Sequence, residues 1–180
     1  MKYKQGNLIS ALETGEIDVL IQQSNCEGLS YFAGIAKSIH SKFKGLTETH
    51  VKHCKKPHVF GTSLIYNTDK GDVINLYSQL FRGPPLGRTK LVKPLEPAEV
   101  YTETTYTDSF DNRLEALKTS LNSVSDYLKD KQVGIPLLAS GLGADRELKG
   151  TMDDLEYFKK YIAPIVEREL EGLDITVFYL

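Results

Sequence analysis

Short apolar runs alternate along the chain with longer segments of helical spacing. Five apolar runs predict strands: DVLIQQ (18–23), VFGTSLIY (59–66), DVINLYSQL (72–80), VGIPLLAS (133–140) and DITVFYL (174–180). The second and third runs are joined by NTDKG (67–71), whose residues favour a hairpin turn. The pattern therefore predicts an antiparallel pair among the strands.

Three segments carry apolar residues at a helical period. The first helix is predicted over about 30–43, the second over about 109–130, and the third begins at 151–154, where the residues are typical of a capping box. Their apolar faces are Phe32, Ile35, Ala36, Ile39 and Phe43, then Phe110, Leu114, Leu117, Leu121, Val124 and Leu128, then Leu155, Phe158, Ile162, Ile165, Val166 and Leu170. The alternation of strands and helices predicts an α/β fold, a three-layer α/β/α sandwich with a central mixed sheet.

Length and charge limit the class of protein. A chain of 180 residues suits a single domain over 1–180, with an insertion at about 82–105. The net charge of -2 gives no reason to expect nucleic acid or an anionic membrane as a partner. No apolar run reaches the roughly 18 residues of a membrane span. The oligomeric state is left open by the sequence.

Cysteine and histidine usage indicates no metal or disulfide scaffold. The start, MKYKQGNLIS, lacks the apolar core of a signal peptide, and two cysteines are too few for a disulfide framework, so we expect a cytoplasmic protein. A cluster of possible zinc ligands, His50, His53, Cys54 and His58, has a spacing that matches no closed zinc site. We interpret the cluster as a solvated helix end and predict no metal and no other cofactor.

Two polar loops follow apolar strands and lead into helices. Loop one covers residues 24–34 and loop two covers residues 140–145. Ligands of α/β sheets bind beyond the carboxyl ends of strands, and the open N–H groups at a helix start favour phosphate. Gly141 and Gly143 let the backbone approach a ligand without an intervening Cβ. The loops are either ordinary strand-to-helix turns or the two sides of a diphosphate site.

Four segments, spread over nearly the whole chain apart from the insertion, carry a resemblance to a known family. They are QGNLISA (5–11), IQQSNCEGLSYFAGIAKSI (21–39), VINLYSQ (73–79) and IPLLASGLGAD (135–145). In this order they resemble the macro domain, and within it the branch of small ADP-ribose 1''-phosphate phosphatases. The resemblance implies an ADP-ribose-type small molecule as the ligand.

The resemblance also implies which residues contact that ligand. Asn7, with the backbone of Leu8 and Ile9, takes the place of the family's adenine contact, and Asn25 faces the distal ribose. The residues implied along the diphosphate are Gly28, Ser30, Ala33, Gly34 and Ile35 in loop one, and Ser140, Gly141, Leu142, Gly143 and Ala144 in loop two. Bare amides and short polar side chains suit phosphate oxygens.

Two departures from the family pattern bear on the site. Tyr31 and Phe32 stand where the family often has a glycine-rich stretch, and they either narrow the distal-ribose side or stack on a ligand ring. Related terminal ADP-ribose glycohydrolases use a Lys and an Asp at the places of Gln79 and Gly143. That Lys–Asp chemistry is therefore not expected, and Gln79 stays in the predicted ligand set.

Catalysis is assigned to Asn25, Glu27 and Asp145. Hydrolysis of a phosphate monoester needs a base beside the attacking water, and Glu27 or Asp145 is the candidate. The alternative is that Glu27 is a solvated loop carboxylate and Asp145 a charge at a helix start. The expected function is hydrolysis of a group from the distal ribose of an ADP-ribose derivative, most simply phosphate. Two other functions stay open: a binding module that sequesters ADP-ribose or an NAD-derived signal nucleotide, and a fold whose pocket Tyr31 and Phe32 close.

The insertion at 82–105 has two interpretations. It contains the prolines and cations Arg82, Pro84, Pro85, Arg88, Lys90, Lys93, Pro94 and Pro97. Long segments without secondary structure are usually functional or disordered. The insertion is either a lid or partner-contact segment, or a mobile surface loop. Candidates for adenine stacking are Tyr101, Tyr106, Phe178 and Tyr179, which are also the residue types that pack in cores.

Overall fold

The computed structural model describes residues 1–28, 34–56, 59–81, 83–85, 89–91, 105–141 and 143–180. The predictions that lie outside the described residues are those for Ser30, Tyr31, Phe32, Ala33, His58, Arg82, Arg88, Lys93, Pro94, Pro97, Tyr101 and Leu142. In the described part of the insertion, the backbone of residues 89–91 pairs antiparallel with that of residues 105–107.

Strands and helices are interspersed along the described chain. The strands are β1 (Lys2–Gln5), β2 (Val19–Asn25), β3 (Ser63–Asn67), β4 (Asp72–Gln79), β5 (Thr89–Leu91), β6 (Thr105–Thr107), β7 (Gln132–Pro136) and β8 (Asp174–Tyr179). The helices are α1 (Leu8–Glu13), α2 (Gly34–Lys42), α3 (Leu46–Cys54), α4 (Phe110–Asn122), α5 (Arg146–Lys149), α6 (Asp154–Tyr157) and α7 (Ala163–Glu169). A π-helical turn, Phe158–Ile162, connects α6 to α7.

Six strands form the central sheet in the order β1-β8-β7-β2-β4-β3. β3 runs antiparallel to β4, and the other neighbouring pairs of this sheet are parallel, which confirms the predicted mixed sheet. From β2 the chain passes through β3 at the edge of the sheet to β4, which lies beside β2. From β7 it passes to β8 on the other side. The carboxyl ends of the parallel strands share one edge, and the direction of the chain across the sheet reverses between β2 and β7.

Two apolar clusters hold helices against opposite faces of the sheet. On one face Leu20 and Val73 pack with residues of α1, α2 and α3. On the other face Val19 and Ile21 pack with residues of α4 and of the helices near the carboxyl terminus. Successive strand residues point to opposite faces, so the single run VLI supplies both clusters. The predicted three-layer α/β/α sandwich is confirmed. Each side chain buried fully in these clusters contributes about 1.5–3 kcal/mol relative to exposure.

Several predicted boundaries are wrong for identifiable reasons. The helix predicted to reach residue 130 ends at Asn122, because residues 123–130 form turns that finish at Asp130 in the left-handed conformation, with φ 64°. Leu128 is fully buried although it lies beyond the end of the helix, so the apolar pattern indicates burial there and not helix. The strand predicted over 133–140 ends at Pro136, and the Leu138 N–H bonds back to the Pro136 carbonyl oxygen in a turn.

The structure also differs from the sequence predictions at other helices. α1, α3 and α5 are present although no helix is predicted over their full lengths. The apolar face predicted for the first helix is only partly buried: Ile39 is fully buried, whereas Ile35 is 39% exposed. The capping box predicted near 151–154 is formed by Asp153 and Glu156.

In the described part of the chain, no helix has the length and apolar character needed to cross a bilayer.

Gly71 lets the β3–β4 hairpin pack against the start of β2. Its φ is 140°, and a Cβ at this position would lie 2.5 Å from the Asp18 carbonyl oxygen and 2.6 Å from Leu12 Cδ1. The Asp72 N–H donates to the same Asp18 oxygen at 2.9 Å. The hairpin therefore cannot move away from a new methyl group without losing a ladder hydrogen bond.

We expect Gly71→Ala to destabilise the protein by about 2–4 kcal/mol, because steric overlap adds to the cost of a left-handed alanine. The matched control is Gly172→Ala, where φ is 80° and, apart from the two neighbouring residues, no described atom lies within 4 Å of the added methyl. The control should cost only the backbone penalty of about 1–2 kcal/mol. Urea unfolding measures both, and equal losses in the two variants would contradict the close approach at Gly71.

Candidate functional site

The sheet brings the two predicted loops together at one edge. Loop one follows β2 and loop two follows β7, and these two strands are neighbours. The pairing of β2 with β4 has a register shift between Ser24 and Asn25, an irregularity of the kind that re-aims a strand end. The loops thus flank the point where the direction of the chain reverses, which is where α/β sheets bind ligands.

Asn25 organises the start of loop one. Its side chain is buried, with 2% exposed, and its Oδ1 accepts a hydrogen bond from the Glu27 N–H at 3.0 Å. The Cys26 N–H donates to the Gln79 carbonyl oxygen at 2.9 Å and so ties the loop to the end of β4. Gly28 has φ 72°, a conformation that favours glycine. Residues 25–28 therefore form a defined turn at the end of β2.

Helix α3 packs directly beneath this turn. A Cβ on Gly28 would lie 3.5 Å from Cys54 Cβ. The Cys54 thiol makes a weak S–H···O contact with the Asn25 carbonyl oxygen at 3.9 Å, and it lies 3.9 Å from His50 Nδ1. The same His50 nitrogen is 2.8 Å from the Tyr77 hydroxyl oxygen. Loop one is therefore supported from below by polar side chains of α3 and β4.

The histidines of α2 and α3 are turned into the protein. Burial lowers the pKa of His40, His50 and His53 to about 4, and the neighbouring histidines lower the pKa of His50 further. The rings of His50 and His53 both stack on Tyr77, and their centroids lie 5.5 and 4.6 Å, respectively, from the Tyr77 ring centroid. The interpretation of a solvated helix end is wrong here, because His50 is fully buried. Among the described residues, no group of three or more His, Cys, Asp or Glu side chains is arranged to hold a metal ion.

Loop two is held by the side chains that surround it. The Ser140 hydroxyl donates to the Leu137 carbonyl oxygen at 2.6 Å, and Lys149 Nζ donates to the Ser140 carbonyl oxygen at 2.8 Å. Lys149 also pairs with Asp154. A Cβ on Gly141 would meet only Asp154 Oδ2 within 4 Å, at 3.9 Å, among the described atoms. The Gly141 backbone is therefore accessible from its Cβ side.

Asp145, a candidate base, forms the cap of α5. Its Oδ1 accepts hydrogen bonds from the N–H groups of Glu147 and Leu148 at 2.9 and 3.0 Å. Its own N–H donates to the Tyr157 hydroxyl at 3.1 Å. One carboxylate oxygen thus has a structural role, as the helix-start alternative expects. The catalytic role of Asp145 stays a prediction.

Gly143 sits against the ends of β2 and β4. A Cβ at Gly143 would lie 2.1 Å from Gln79 Nε2 and 3.8 Å from Gln23 Oε1. Gln23 is fixed in turn, because its Nε2 donates to the Ser78 hydroxyl at 2.8 Å. The absence of a side chain at Gly143 therefore lets loop two rest on two neutral amides. The two places at which the resemblance implies a Lys and an Asp in related glycohydrolases hold Gln79 and Gly143 here, in close contact.

A buried arginine connects loop two to the end of β4. Arg113, on α4, and Asp108 are 3% and 0% exposed. Arg113 Nε and Nη2 each donate to one oxygen of the Asp108 carboxylate, both at 2.7 Å. Nη1 donates to the carbonyl oxygens of Gly83 at 2.7 Å and Gly143 at 3.4 Å, and Nη2 donates to that of Phe81 at 3.2 Å. One guanidinium therefore bonds to loop two and to the chain just after β4.

The other predicted site residues have mixed surroundings. Asn7 follows β1 at the same edge of the sheet, and its Oδ1 accepts hydrogen bonds from the N–H groups of Ile9 and Ser10 at 2.9 and 3.1 Å. Leu8 and Phe178 pack in one apolar cluster and Ala144 in the other. The predicted adenine contact Asn7 is thus also the cap of α1. Gly34 and Ile35 are exposed at the start of α2.

Arg113 and Asp108 are not among the site residues predicted from the sequence. A signal was available, because Arg113 lies four residues before Leu117 on the apolar stripe of α4, where a cation needs a buried partner. Asp108, just before the helix, is the nearby acid that supplies it. Cys54, His50 and Tyr77 were not predicted as supports of loop one either. Their role depends on how α3 packs under β2, which no local pattern reports.

A groove lies at the opposite edge of the sheet, at the amino ends of the strands. Its volume is about 400 Å³, and its lining is Lys2, Tyr3, Lys4, Glu16, Ile17, Gln132, Asp174 and Thr176. The lysines of this groove pair with carboxylates, Lys2 with Asp174 and Lys4 with Glu16. The groove contains no glycine loop among its lining residues, so we place the candidate site at the carboxyl edge.

Comparison with solved structures identifies the fold. Neither a protein-family model nor a curated protein matches the chain. Among solved structures, the macrodomain of Mycobacterium tuberculosis DarG is 19% identical with a TM-score of 0.67, over 99% of this chain and 97% of that chain. A macrodomain protein from Streptomyces coelicolor is 14% identical with a TM-score of 0.61, over 99% and 98%.

A third structure carries a ligand. Thermosipho africanus DarTG, solved in complex with ADP-ribose, is 13% identical with a TM-score of 0.59, over 99% of this chain and 41% of that chain. At these identities the likeness is one of fold. The chain therefore has the macrodomain fold, and the closer resemblance to the phosphatase branch stays a prediction.

We expect acid to destabilise the protein through its buried histidines. His40, His50 and His53 titrate near 4 when folded and near 6.5 when unfolded, so the unfolded state binds up to three more protons between these values. Stability is complete above about pH 6.5 and falls as the pH drops towards 4. The histidine Cε1–H resonances report the folded pKa values directly, and urea midpoints report stability.

The control for carboxylate titration is His50→Gln. This variant should lose about one proton from the pH dependence of unfolding, whatever its absolute stability. Resonances of the three histidines that titrate near pH 6.5 in the folded protein would contradict their burial.

Proposed function

We propose that this protein binds ADP-ribose, or a close derivative, with the diphosphate between loop one and loop two. The observation that carries the proposal is the meeting of two glycine-containing loops at the carboxyl ends of adjacent strands, in a fold whose Thermosipho africanus neighbour was solved with ADP-ribose. In this arrangement the adenine lies towards Asn7 and the distal ribose towards Asn25. Gly28 and Gly141 stand on opposite sides of the diphosphate.

The cations beside loop two are engaged by the protein itself. Arg113 donates to Asp108 and to three carbonyl oxygens, and Lys149 pairs with Asp154 and with the Ser140 carbonyl oxygen. The N–H groups of Cys26, Glu27, Ala144 and Asp145 also donate within the protein. In this proposal the diphosphate is therefore bound mainly by the N–H groups of Gly141 and Gly143 and by the amino end of α2. Such donors recognise phosphate by their geometry, because fixed amides match oxygens at set positions.

The chemistry we propose is hydrolysis of a group on the distal ribose, most simply the 1''-phosphate. Asn25 orients the ribose, and Glu27 takes a proton from a water molecule that attacks phosphorus. The P–O bond to the ribose breaks, the ribose oxygen takes a proton from solvent, and Glu27 returns its proton to solvent, giving ADP-ribose and inorganic phosphate. Asp145 is the second candidate base, with one oxygen already used as a cap.

The second candidate function is binding without turnover. It is favoured by the contact between Gly143 and Gln79, since neutral groups occupy the places of a Lys–Asp pair. It is also favoured by the bond from the Glu27 N–H to Asn25 Oδ1, which uses one atom of the amide in the loop itself. A protein of this kind sequesters ADP-ribose or a related NAD-derived nucleotide.

We expect titration calorimetry to show binding of ADP-ribose with a Kd on the order of micromolar. Gly141→Glu should weaken it by at least about tenfold, because a carboxylate then projects towards the diphosphate from a position with open space. The matched control is Gly172→Glu, which adds the same charge at another open glycine and should bind like the wild type. Equal affinities of the two variants for ADP-ribose would contradict the placement of the diphosphate beside loop two.

The enzyme and binding functions separate in one assay. If the protein is a phosphatase, ADP-ribose 1''-phosphate releases inorganic phosphate, and Glu27→Gln lowers kcat by about 10²–10⁴-fold with little change in Kd. Asp145→Asn keeps an oxygen that caps α5 and tests the second base. Tight binding with no phosphate release from the wild type would support sequestration instead.

A further inference from the structure

We propose that Arg113 is a positioning residue that sets the distance between loop two and the chain after β4, and thereby the shape of the ligand pocket. The inference rests on the proposed function, because it concerns how that pocket is held open. It assigns to Arg113 no contact with the ligand. All five N–H groups of Arg113 donate to acceptors within the protein.

Every N–H group of the Arg113 side chain has an acceptor within the protein. A guanidinium has five N–H donors in a fixed planar fork. Two of them, on Nε and Nη2, go to the Asp108 carboxylate, and the remaining three go to the carbonyl oxygens of Phe81, Gly83 and Gly143. No donor is left for a ligand phosphate. Arg113 therefore acts on a ligand through the backbone that it holds.

The three carbonyl oxygens belong to two separate parts of the chain. Phe81 and Gly83 follow β4, and Gly143 lies in loop two, which follows β7. β2 lies between β4 and β7 in the sheet, and loop one leaves from its end. The guanidinium thus spans the strand from which loop one starts. Its planar fork fixes both flanks of that loop at once.

Asp108 holds the guanidinium in the orientation that this requires. Both of its carboxylate oxygens are used, at 2.7 Å, and its side chain is fully buried. A buried cation without a partner is strongly destabilising, so Asp108 makes the burial of Arg113 feasible. The ion pair supplies stability, whereas the three bonds to carbonyl oxygens supply position.

This division of roles predicts that, of two substitutions, one lowers the stability more and the other lowers the affinity for ADP-ribose more. Arg113→Lys keeps the buried charge pair but offers three N–H donors at one point, so it cannot serve five acceptors in two directions. Asp108→Asn keeps the guanidinium and its bonds to carbonyl oxygens but removes the compensating charge. We therefore expect Asp108→Asn to be the less stable variant and Arg113→Lys to be the weaker binder.

The experiment measures the ADP-ribose Kd, the urea midpoint and amide hydrogen exchange for both variants and for Gly172→Ala, a destabilised control remote from the loops. The expected result is a Kd at least about tenfold weaker for Arg113→Lys, and within about threefold of the wild type for Gly172→Ala. Exchange should rise at the Ala144 and Asp145 amides, which bond to Gly141 O and to the Tyr157 hydroxyl, and not at the Ala11 amide in α1.

Three results would overturn the inference: an Arg113→Lys affinity equal to that of Gly172→Ala, unchanged exchange at Ala144 and Asp145, or weaker binding in Asp108→Asn than in Arg113→Lys. If Asp108→Asn does not fold, the comparison of Arg113→Lys with Gly172→Ala decides. If the wild type itself does not bind ADP-ribose, the proposed function fails, and the exchange data alone decide whether Arg113 positions loop two.

Discussion

The buried ion pair between Arg113 and Asp108 is the constraint on which the candidate site depends. Burial of a guanidinium is tolerable only when every N–H has an acceptor, and here the acceptors are one carboxylate and three backbone carbonyl oxygens. Those oxygens come from loop two and from the chain after β4. The electrostatic demand of one side chain therefore fixes the relative positions of segments that are distant in sequence. Loop one emerges between them.

The two faces of the sheet support this edge by different means. Next to α4 the packing is apolar apart from the Arg113–Asp108 pair, whereas beneath loop one it includes Tyr77 and the histidines of α2 and α3. On this second face, Gln22 Oε1 and Ser24 Oγ are buried and have no hydrogen-bond partner among the described residues. Buried polar groups of this kind cost stability. Their concentration next to loop one agrees with a site whose shape is maintained at the expense of stability.

The fold was more predictable than the site, for physical reasons. Burial of apolar side chains sets both the strand runs and the helical stripes, so the α/β sandwich and the β3–β4 hairpin follow from the pattern. The same signal misplaced the end of α4, because Leu128 is buried outside a helix. The places of loops one and two follow from the strand ends. The roles of Arg113 and α3 were not predicted, because they depend on contacts between segments that are distant in sequence. The single-domain organisation stays a prediction.

The most direct test of the account is an ADP-ribose titration followed by ¹⁵N–¹H correlation spectra of the assigned protein. We expect the largest shifts at the amides of residues 25–28 and 140–145, and smaller shifts at Phe81 and Gly83, which bond to Arg113 as loop two does. Shifts confined to the groove around Lys2, Lys4 and Asp174 at the opposite edge would contradict the proposed site. Unchanged spectra at millimolar ADP-ribose would contradict the proposed function itself.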